Sequence, residues 1–306
     1  MNLYHLRVFL VVAEHEHITR ASEELYLSQP AVSKIIQNLE QEIRQKLVEH
    51  KGRNIALTYA GQVLRTYARR MFALEREMED ALAALSDIES GEVALATDLT
   101  AGMYLIPAIV ASFRSRYPCV KMNLEILKSR DIIESTLEWR LDFGLVECDP
   151  SELPIGLAYE MIASDEFILV VSPGHPWSVL NAMKPEGLRD GVLILREPGS
   201  GHREAVEHAF SHQGYSITSL FTVPDSEVIK QMAMKGVGAT IIPAMSVQRE
   251  LESGELVHVP IVGLEMRLYL SMIWREEKQF SPAALAFRAM LRRQMPAVES
   301  IQQQAS

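Results

Sequence analysis

The sequence predicts a multidomain protein with a small all-α N-terminal domain, one long helix and a C-terminal α/β domain of two lobes. Three observations carry this prediction. Apolar residues follow helical spacing in the first sixty positions, a seven-residue repeat runs from 59 to 88, and strand patterns alternate with helix patterns from 92 onward. The length of 306 residues is sufficient for two or three domains with hydrophobic cores.

The charge composition argues against a protein that coats nucleic acid without sequence preference. The formal net charge is −10, with 30 Lys and Arg against 40 Asp and Glu, whereas non-specific affinity for DNA comes from excess cations. The charge is also unevenly distributed, because residues 1–70 carry a net +3 and the remainder a net −13. The mildly basic N-terminal segment can still read DNA although the rest of the chain is acidic. We expect its DNA binding to depend on several copies of the chain acting together.

Cysteine usage and hydropathy indicate the cellular compartment of the protein. Cys119 and Cys148 have no paired spacing, which disfavours a disulfide framework, a structural zinc site and an iron–sulfur cluster, and suits a reducing cytoplasm. No run approaches the roughly 20 apolar residues that span a bilayer. The apolar stretch 8–13 is too short for a secretory signal and lacks a cleavage site. We therefore expect a soluble, cytoplasmic protein.

Three short helices are predicted before residue 45. The first has apolar residues at helical spacing over 6–13 and the second covers about 18–25. The third begins after Ser28, a good N-cap, and tolerates Pro30 because that residue lies in its first turn. Its apolar face comprises Val32, Ile35, Ile36, Leu39 and Ile43.

The opposite face of the third helix carries short hydrogen-bonding side chains with one cation and no carboxylate: Gln29, Ser33, Lys34, Gln37 and Asn38. Reading the major groove requires donors and acceptors of this kind on a rigid helix. The alternative is an ordinary solvated helix face. Taken by itself, the residue pattern favours this alternative.

Residues 51–54 lie between two short apolar stretches and predict a hairpin with a basic tip. The alternative there is simply a turn. Together with the three helices, this hairpin adds weight to a function in DNA recognition.

These segments resemble a known family. The stretch ASEELYLSQPAVS at 21–33, followed by Ile36, Leu39-Glu40, Arg53 and LTYAG at 57–61, resembles the winged helix-turn-helix of LysR-type transcriptional regulators. Length and layout match that family over nearly the whole chain. By this resemblance, the DNA-binding residues are the start and face of the third helix and the wing, namely Gln29, Pro30, Ser33, Lys34, Asn38 and Arg53.

Three positions depart from the family pattern. Arg44 stands where the family usually has Gly after the recognition helix. If a positive φ is still required there, a non-glycine residue costs on the order of 1 kcal/mol. Val48 and His50 replace the usual Phe and Arg before the wing, which puts one contact to the DNA backbone in doubt.

Residues 59–88 predict one long helix that pairs with a copy of itself. Apolar residues recur every seven positions along two lines offset by three, which forms an a/d seam. The alternative is a stripe buried against its own domain, but no Gly or Pro interrupts the two lines between 64 and 88, and Gly91 ends the helix. In the family this is the dimerising linker helix. The two lines are Leu64, Met71, Met78 and Leu85, and Tyr67, Leu74, Ala81 and Ile88.

From Glu92 onward, the strand–helix–strand order predicts parallel sheets in two sets, with the last two elements returning to the first set. The predicted first set comprises strand 93–97, helix 103–113, strand 120–126, helix 132–139 and strand 141–146. The second set and the return comprise 167–171, 192–195, 204–210, 219–223, 228–234, 240–242, 267–274 and 282–291. By resemblance this is a two-lobed effector domain similar to bacterial solute-binding proteins, that is, periplasmic-binding-protein-like.

Ligands of such sheets bind at the carboxyl ends of parallel strands, where helix N-termini point inward. This rule selects the loops 97–101, 128–130, 198–203 and 224–226, which by resemblance line the effector cleft between the lobes. The candidate effector-binding residues are Thr97, Thr100, Ala101, Ser129, Ser200, Gly201, His202 and Ser226.

The hydroxyl groups of these loops and the helix-end N–H groups, with Arg203 nearby, would suit a small anionic metabolite. Asp98 argues against a strongly anionic one. The alternative is that each Ser or Thr is only an N-cap.

Other chemistry is disfavoured. The GxG fragments at 199–201 and 236–238 lack the rest of a dinucleotide fingerprint. The residues 14–17 and the pair His202 and His208 could be read as metal clusters, but neighbours along a chain rarely point at one ion. No GxSxG motif and no P-loop occurs, so we expect no catalytic residues, no metal and no cofactor. A transporter's solute-binding protein and an α/β enzyme with a helical appendage are the rival functions.

The sequence thus predicts an effector-responsive transcriptional regulator that is not an enzyme. Its expected partners are double-stranded promoter DNA, a small-molecule effector, its own copies (a homodimer through the linker helix, then a tetramer), and RNA polymerase, with no membrane. The predicted organisation is 1–60 winged helix-turn-helix, 61–90 linker helix, 91–295 effector domain (lobe I about 91–162 and 267–295, lobe II about 163–266) and 296–306 disordered tail.

Overall fold

The structure is a computed structural model that describes residues 2–51, 54–84, 91–148 and 153–294. The chain divides into two compact units, one of residues 1–86 with 138–140 and one of residues 87–137 with 141–306. The predicted tail after residue 295 lies outside the described residues. None of the described helices is long and apolar enough to cross a bilayer.

The first unit begins with three helices and a hairpin, as predicted. Its elements are α1 (Leu3–His15), α2 (Ile18–Glu24), α3 (Gln29–Ile43), β1 (Val48–Lys51), β2 (Asn54–Leu57) and α4 (Tyr59–Ala84). The core forms where the apolar faces of α1 and α3 meet, because Phe9 and Val12 bury completely beside Val32 and Leu39. Ser28 caps α3 as predicted, since its side chain accepts a hydrogen bond from the N–H of Ala31.

Helix α3 ends in a left-handed residue that is not a glycine. Arg44 has φ 57° and ψ 33°, and its N–H donates to the carbonyl of Glu40. The positive φ expected at this position is therefore present. A Cβ in this conformation costs on the order of 1 kcal/mol relative to glycine, so the chain carries a small backbone strain next to its hairpin.

A buried carboxylate fixes the turn between α3 and the hairpin. Glu40 accepts hydrogen bonds from Lys46 Nζ at 2.6 Å and from the backbone N–H groups of Leu47 and Val48 at 2.9 and 3.4 Å. Burial alone would raise the pKa of Glu40, but these three donors outweigh it and lower the pKa. The charged carboxylate thereby holds the entry to β1 against the end of α3.

The predicted hairpin is present, with β1 and β2 antiparallel and Val48 opposite Leu57. Its tip at 52–53, which includes Arg53, lies outside the described residues. The hairpin connects to α4 through a close approach, since a Cβ on Gly61 would lie 2.1 Å from the carbonyl oxygen of Leu47. Only glycine fits there, which explains the glycine at the end of the LTYAG motif.

Helix α4 places its apolar residues on two different faces. Ala68, Phe72 and Ala73 are buried, and Phe72 belongs to the core of the first unit. A second row stays open to solvent, namely Tyr67 at 65%, Met71 at 36%, Leu74 at 64%, Met78 at 55% and Leu82 at 58% exposure. Leu85 and Ile88 of the predicted seam lie outside the described residues, and the pairing of two helices stays a prediction.

The second unit contains the predicted alternation of strands and helices. Its first part comprises β3 (Gly91–Thr97), α5 (Leu99–Tyr104), α6 (Ile106–Arg116), β4 (Val120–Ile126), α7 (Ser129–Leu137), β5 (Phe143–Glu147) and β6 (Leu157–Val171). The rest comprises β7 (Leu193–Leu195), α8 (Gly201–His212), β8 (Phe221–Thr222), α9 (Ser226–Met234), β9 (Ala239–Pro243), α10 (Gln248–Ser253), β10 (Val257–His258), β11 (Arg267–Arg275) and α11 (Pro282–Gln294). Three short 3₁₀ turns lie at Pro176–Val179, Pro185–Asp190 and Ala244–Ser246.

The strands form two sheets that share β6, in the order β4-β3-β5-β11-β6-β9-β7-β8, with β10 also on β6. The parallel pairs are β3 with β4 and β5, and β7 with β8 and β9. The expected parallel pairing is thus present among these strands, whereas it is wrong for β6 and β11, because β11 is antiparallel to both β5 and β6, and β6 is antiparallel to β9. The two crossings between lobes run through β6 and the segment before β11.

Two further details differ from the sequence-based prediction. The strand predicted at 167–171 is the end of the 15-residue β6, which serves both lobes. The helix predicted over 103–113 is two helices, because Pro107 lacks the N–H that would continue the hydrogen-bond ladder from α5.

Each lobe has its own core. Lobe I is built around an aromatic cluster, in which the ring of Phe113 meets Phe287 edge-on with centroids 5.0 Å apart and Phe143 stacks on Phe287 at 5.8 Å. Lobe II has a separate core that includes Phe167 and Phe210. Two cores joined by one long strand leave the polar ends of the other strands facing each other between the lobes.

We predict that Arg44→Gly stabilises the first unit by about 1 kcal/mol, because glycine removes the left-handed strain at the end of α3. The matched control is Gln41→Gly, an exposed position inside the same helix, which should instead destabilise by about 1 kcal/mol. The measurement is the free energy of urea unfolding of the full chain. Equal destabilisation by both glycines would show that the strain is absent.

Candidate functional sites

The polar face of α3 is open to solvent over its first turn and beyond. Gln29, Pro30 and Lys34 are exposed, and Ser33 and Asn38 are half-buried. On the other side of the helix, Val32, Ile36 and Leu39 are buried in the core of the first unit. The core therefore fixes the rotation of α3, and that rotation directs amide, hydroxyl and ammonium groups outward. Such groups can meet base edges and phosphates.

In the second unit, the carboxyl ends of β3, β5 and β7 meet the N-termini of α5, α7 and α8. The first contact is between the ends of β3 and β5. Asp98, directly after β3, accepts a hydrogen bond from the N–H of Glu147 at 2.8 Å and bonds from Ser129 Oγ at 3.0 and 2.9 Å. Ser129 is thus a partner of a carboxylate on the neighbouring strand.

The chemistry of Asp98 is unusual. Burial, and then the charge of the neighbouring Glu147, raises the pKa of Asp98 to about 8, although its hydrogen bonds from Glu147 N–H and Ser129 and the charge of Arg196 act in the opposite direction. At neutral pH this carboxyl is therefore mostly protonated. Asp165 nearby on β6 also has its pKa raised by burial.

One histidine joins the two lobes. His202 Nε2, at the start of α8 in lobe II, lies 2.8 Å from Glu147 Oε2 and 2.9 Å from Thr100 Oγ1, both in lobe I. The imidazole packs edge-on against Phe167 with ring centres 5.3 Å apart. Thr100, Glu147 and His202 are all at least nine-tenths buried. The hydrogen bonds of this site are therefore shielded from water, which strengthens them.

Two further contacts cross the cleft. The hydroxyl of Tyr104 in lobe I donates to Glu227 Oε2 in lobe II at 3.1 Å, and Lys230 Nζ lies 2.8 Å from the same carboxylate. On the opposite side, Lys128 Nζ lies 3.7 Å from Glu197 Oε1. The lobes are therefore held together by a central histidine and by ion pairs or hydrogen bonds at the cleft's margins.

The start of α8 lies so close to the end of β5 that only a glycine fits at position 201. A Cβ on Gly201 would lie 2.6 Å from the carbonyl oxygen of Glu147, so a side chain there would push the lobes apart. Ser200 is the N-cap of α8, since its Oγ accepts from the N–H of Arg203. Ser200 therefore has the N-cap role, which the sequence left open as the alternative to ligand binding for each hydroxyl group of these loops.

The structure brings most of the predicted effector-site residues together. Thr100, Ser129 and His202 converge on the carboxyl pair of Asp98 and Glu147, and Ser226 Oγ accepts from Arg196 Nη1 at 3.0 Å. Thr97 and Ala101 are enclosed within lobe I.

One expectation is wrong. Arg203 is not available to an anion in the cleft, because its guanidinium donates to Glu207 Oε1 at 2.5 Å and to Ser219 Oγ at 3.0 Å.

Sequence reasoning missed Glu147 and Arg196. Glu147 directly continues the strand predicted at 141–146, so the strand-end rule would have selected it had that strand been included. Arg196 follows β7 in the same way, and it donates to both Glu197 and Ser226. Among the described residues, no group of three or more His, Cys, Asp or Glu side chains is placed to hold a metal ion.

The sequence matches two family models, "Bacterial regulatory helix-turn-helix protein, lysR family" over residues 3–62 and "LysR substrate binding domain" over residues 86–296. A RuBisCO operon transcriptional regulator of Allochromatium vinosum is 32% identical over 288 residues, with 94% of each chain covered.

Three solved structures extend the comparison. CbnR, a LysR family transcriptional regulator, is 25% identical over 96% of this chain and 99% of its own, with a TM-score of 0.67. Its complex with target DNA aligns over the same shares at 26% identity, with a TM-score of 0.57. The Synechocystis CcmR regulatory domain, in complex with 2-PG, is 24% identical over 66% of this chain and 96% of its own, with a TM-score of 0.60; at that identity the likeness is one of fold.

We predict that the stability of the second unit falls as the pH rises from about 5 to 8. Asp98 has its pKa raised to about 8 in the folded chain from 3.8, so between these values the folded state holds a proton that the unfolded chain has released. Asp98→Asn should reduce this slope, and Asp131→Asn, an exposed neighbour on α7, should leave it unchanged. The measurement is urea unfolding at a series of pH values; an unaltered slope in Asp98→Asn would refute the assignment.

Proposed function

Because the chain belongs to the LysR family of bacterial transcriptional regulators, we propose that α3 reads promoter DNA and that the hairpin contacts the adjacent minor groove. The residues assigned to DNA are Gln29, Pro30, Ser33, Lys34 and Asn38 on α3 and Arg53 at the hairpin tip. The observation that carries this proposal is the face of α3, which offers amides, a hydroxyl and one ammonium to solvent while the opposite face is buried.

The amides of Gln29 and Asn38 suit bidentate reading of adenine, and the Lys34 ammonium suits a phosphate or guanine. Both carboxylates of α3 lie in its last turn, where Glu42 is exposed and Glu40 is buried and engaged with the turn that follows. Glu40 therefore does not face the DNA phosphates. This separation of charge favours DNA recognition over an ordinary solvated face, where carboxylates and cations are mixed.

The two lobes of the second unit bind a small-molecule effector in the cleft around His202. Thr97, Thr100, Ala101, Ser129, Ser200, Gly201, His202 and Ser226 are the residues assigned to that site, and Asp98 and Glu147 join them on the geometry described above. The reported complex of the CcmR regulatory domain with 2-PG supports a ligand in a domain of this fold.

The rival functions are not supported. The helix-turn-helix domain is not explained by the function of a transporter's solute-binding protein. The family to which this chain belongs consists of transcriptional regulators rather than enzymes.

The exposed row on α4 supports self-association. Tyr67, Leu74, Met78 and Leu82 are each more than half exposed, and an apolar seam of this kind is stabilised by burial against a second copy. The assembly is a homodimer through α4, and two dimers form a tetramer in the cytoplasm. RNA polymerase is the further partner that a promoter-bound regulator acts on.

The proposed organisation follows from these roles. The head comprises 1–60 and the linker helix 61–90. The effector domain comprises 91–295, with lobe I about 91–162 and 267–295 and lobe II about 163–266. Two heads read two half-sites of an interrupted dyad, and the effector acts by changing the populations of two arrangements of the lobes. The spacing of the heads and the bend of the DNA change with them.

A gel-shift series on the DNA upstream of its own gene tests the DNA-binding residues. Gln29→Ala and Ser33→Ala should weaken specific binding about tenfold each, since a base-edge contact contributes about 1–3 kcal/mol. Arg53→Ala should lower the affinity for specific and unrelated DNA alike. Gln41→Ala, exposed on the same helix but about three turns from its start, is the matched control. Wild-type binding by all three variants would exclude this recognition surface.

A further inference from the structure

One buried oxygen in the cleft has no hydrogen-bond partner among the described residues. It is Oε1 of Glu147, whose side chain is 6% exposed. The other carboxylate oxygen, Oε2, is engaged with His202 Nε2 at 2.8 Å. An unpartnered buried carboxylate oxygen is costly, and native structures normally supply a donor to it. The cleft therefore contains an acceptor for which the described chain provides no donor.

The surroundings of this oxygen are acidic. The Asp98 carboxyl is linked to the same residue through the N–H of Glu147, and the mutual repulsion of the two carboxylates contributes to the raised pKa of Asp98. The charge of Glu147 also acts on Asp165, a half-buried carboxyl on β6 that accepts a hydrogen bond from the N–H of Met245. The Glu147 carboxylate therefore influences two other carboxyl groups.

The nearby cations are already engaged. Arg196 donates to Glu197 through Nε at 2.9 Å and to Ser226 through Nη1 at 3.0 Å. Lys128 is largely exposed and lies 3.7 Å from the same Glu197. Of the groups in direct contact with Glu147, only His202 can carry a positive charge, and it also lies within hydrogen-bond distance of Thr100. Among the described residues, the Glu147 carboxylate is therefore not in contact with any permanently charged cation.

We propose that the effector carries a protonated amine, which donates to Glu147 Oε1 beside Asp98. This inference rests on the proposed effector role of the cleft. An ammonium group brings three N–H donors and a full positive charge, so it satisfies the unpartnered oxygen and compensates the carboxyl pair. A carboxylate or phosphate in the same position would bring no donor to this oxygen and would be repelled by the charge of Glu147. If the ligand also has an anionic group, that group lies elsewhere in the cleft.

Without a ligand, a proton on Asp98 removes one of the two negative charges of the carboxyl pair. In the complex, the ammonium group compensates that charge instead. When the amine arrives with its positive charge, Asp98 releases that proton to solvent. The amine keeps its own three protons, and no covalent bond is made or broken. Binding near pH 7 should therefore release up to one proton per chain, and that release is measurable as a dependence of the binding enthalpy on the buffer's ionisation enthalpy.

The experiment is a thermal-shift series on the full chain with matched pairs of compounds. The amine set is the common L-amino acids, β-alanine and putrescine; the matched set has hydroxyl in place of amine, such as glycolate, L-lactate, 3-hydroxypropionate and 1,4-butanediol. We expect a member of the amine set to raise the melting temperature by several degrees and its hydroxyl counterpart to leave it unchanged. Glu147→Gln should abolish the shift, and Glu134→Gln, an exposed carboxylate on α7, should retain it.

Calorimetry with the amine that gives the shift completes the test. Wild type should release a proton on binding and Asp98→Asn should not, even where that variant still binds.

Two results would overturn the amine proposal. One is that no amine gives a shift that depends on Glu147. The other is that a hydroxy acid stabilises wild type and Glu147→Gln equally, which would still support an effector cleft and so separate this inference from the proposed function. The Glu147→Gln variant removes one buried charge at constant shape, so its own melting temperature serves as the check that it folds.

Discussion

One buried imidazole nitrogen lies within hydrogen-bond distance of both sides of the cleft in the second unit, and the arrangement of the cleft's centre depends on it. His202 Nε2 lies within hydrogen-bond distance of Thr100 and Glu147, which belong to different loops of lobe I. The nitrogen carries at most one proton, so its bonds to a hydroxyl and to a carboxylate depend on where that proton resides. Because the site is buried, each arrangement has a distinct energy. A ligand or a proton that changes one of these bonds therefore alters how the lobes are held.

The DNA-reading head depends on a buried carboxylate in a comparable way. Glu40 remains charged because three donors surround it, and it holds the hairpin to the end of α3. In the cleft, by contrast, burial and the charge of Glu147 outweigh the charge of Arg196 and the hydrogen bonds to Asp98, and the pKa of Asp98 rises to about 8. Buried carboxylates thus have two different roles in this chain. Glu40, whose oxygens accept three hydrogen bonds, stabilises the DNA-reading domain, whereas the pair of Asp98 and Glu147, with one oxygen lacking a donor, is suited to respond to a ligand.

Much of the fold follows from local sequence patterns. The caps and apolar spacing of the head predicted all three helices, because Ser28 and the buried face of α3 act locally. The long β6, the antiparallel return of β11 and the break between α5 and α6 could not be predicted from alternation alone, since pairing is decided by contacts between distant segments. The strand-end rule selected loops whose residues Thr100, Ser129 and His202 lie around Asp98 and Glu147 in the structure. The partners of His202 and the ion pair of Arg203 with Glu207 depend on side-chain directions, which spacing does not determine.

The central claim is that loops from the two lobes form one polar site joined through His202. A double-mutant cycle with Thr100→Val and His202→Leu, followed by urea unfolding, measures that connection directly. The account predicts a coupling energy of about 0.5–1.5 kcal/mol, the contribution of a buried hydrogen bond between residues in contact. Additive effects of the two substitutions, with a coupling energy indistinguishable from zero, would contradict it.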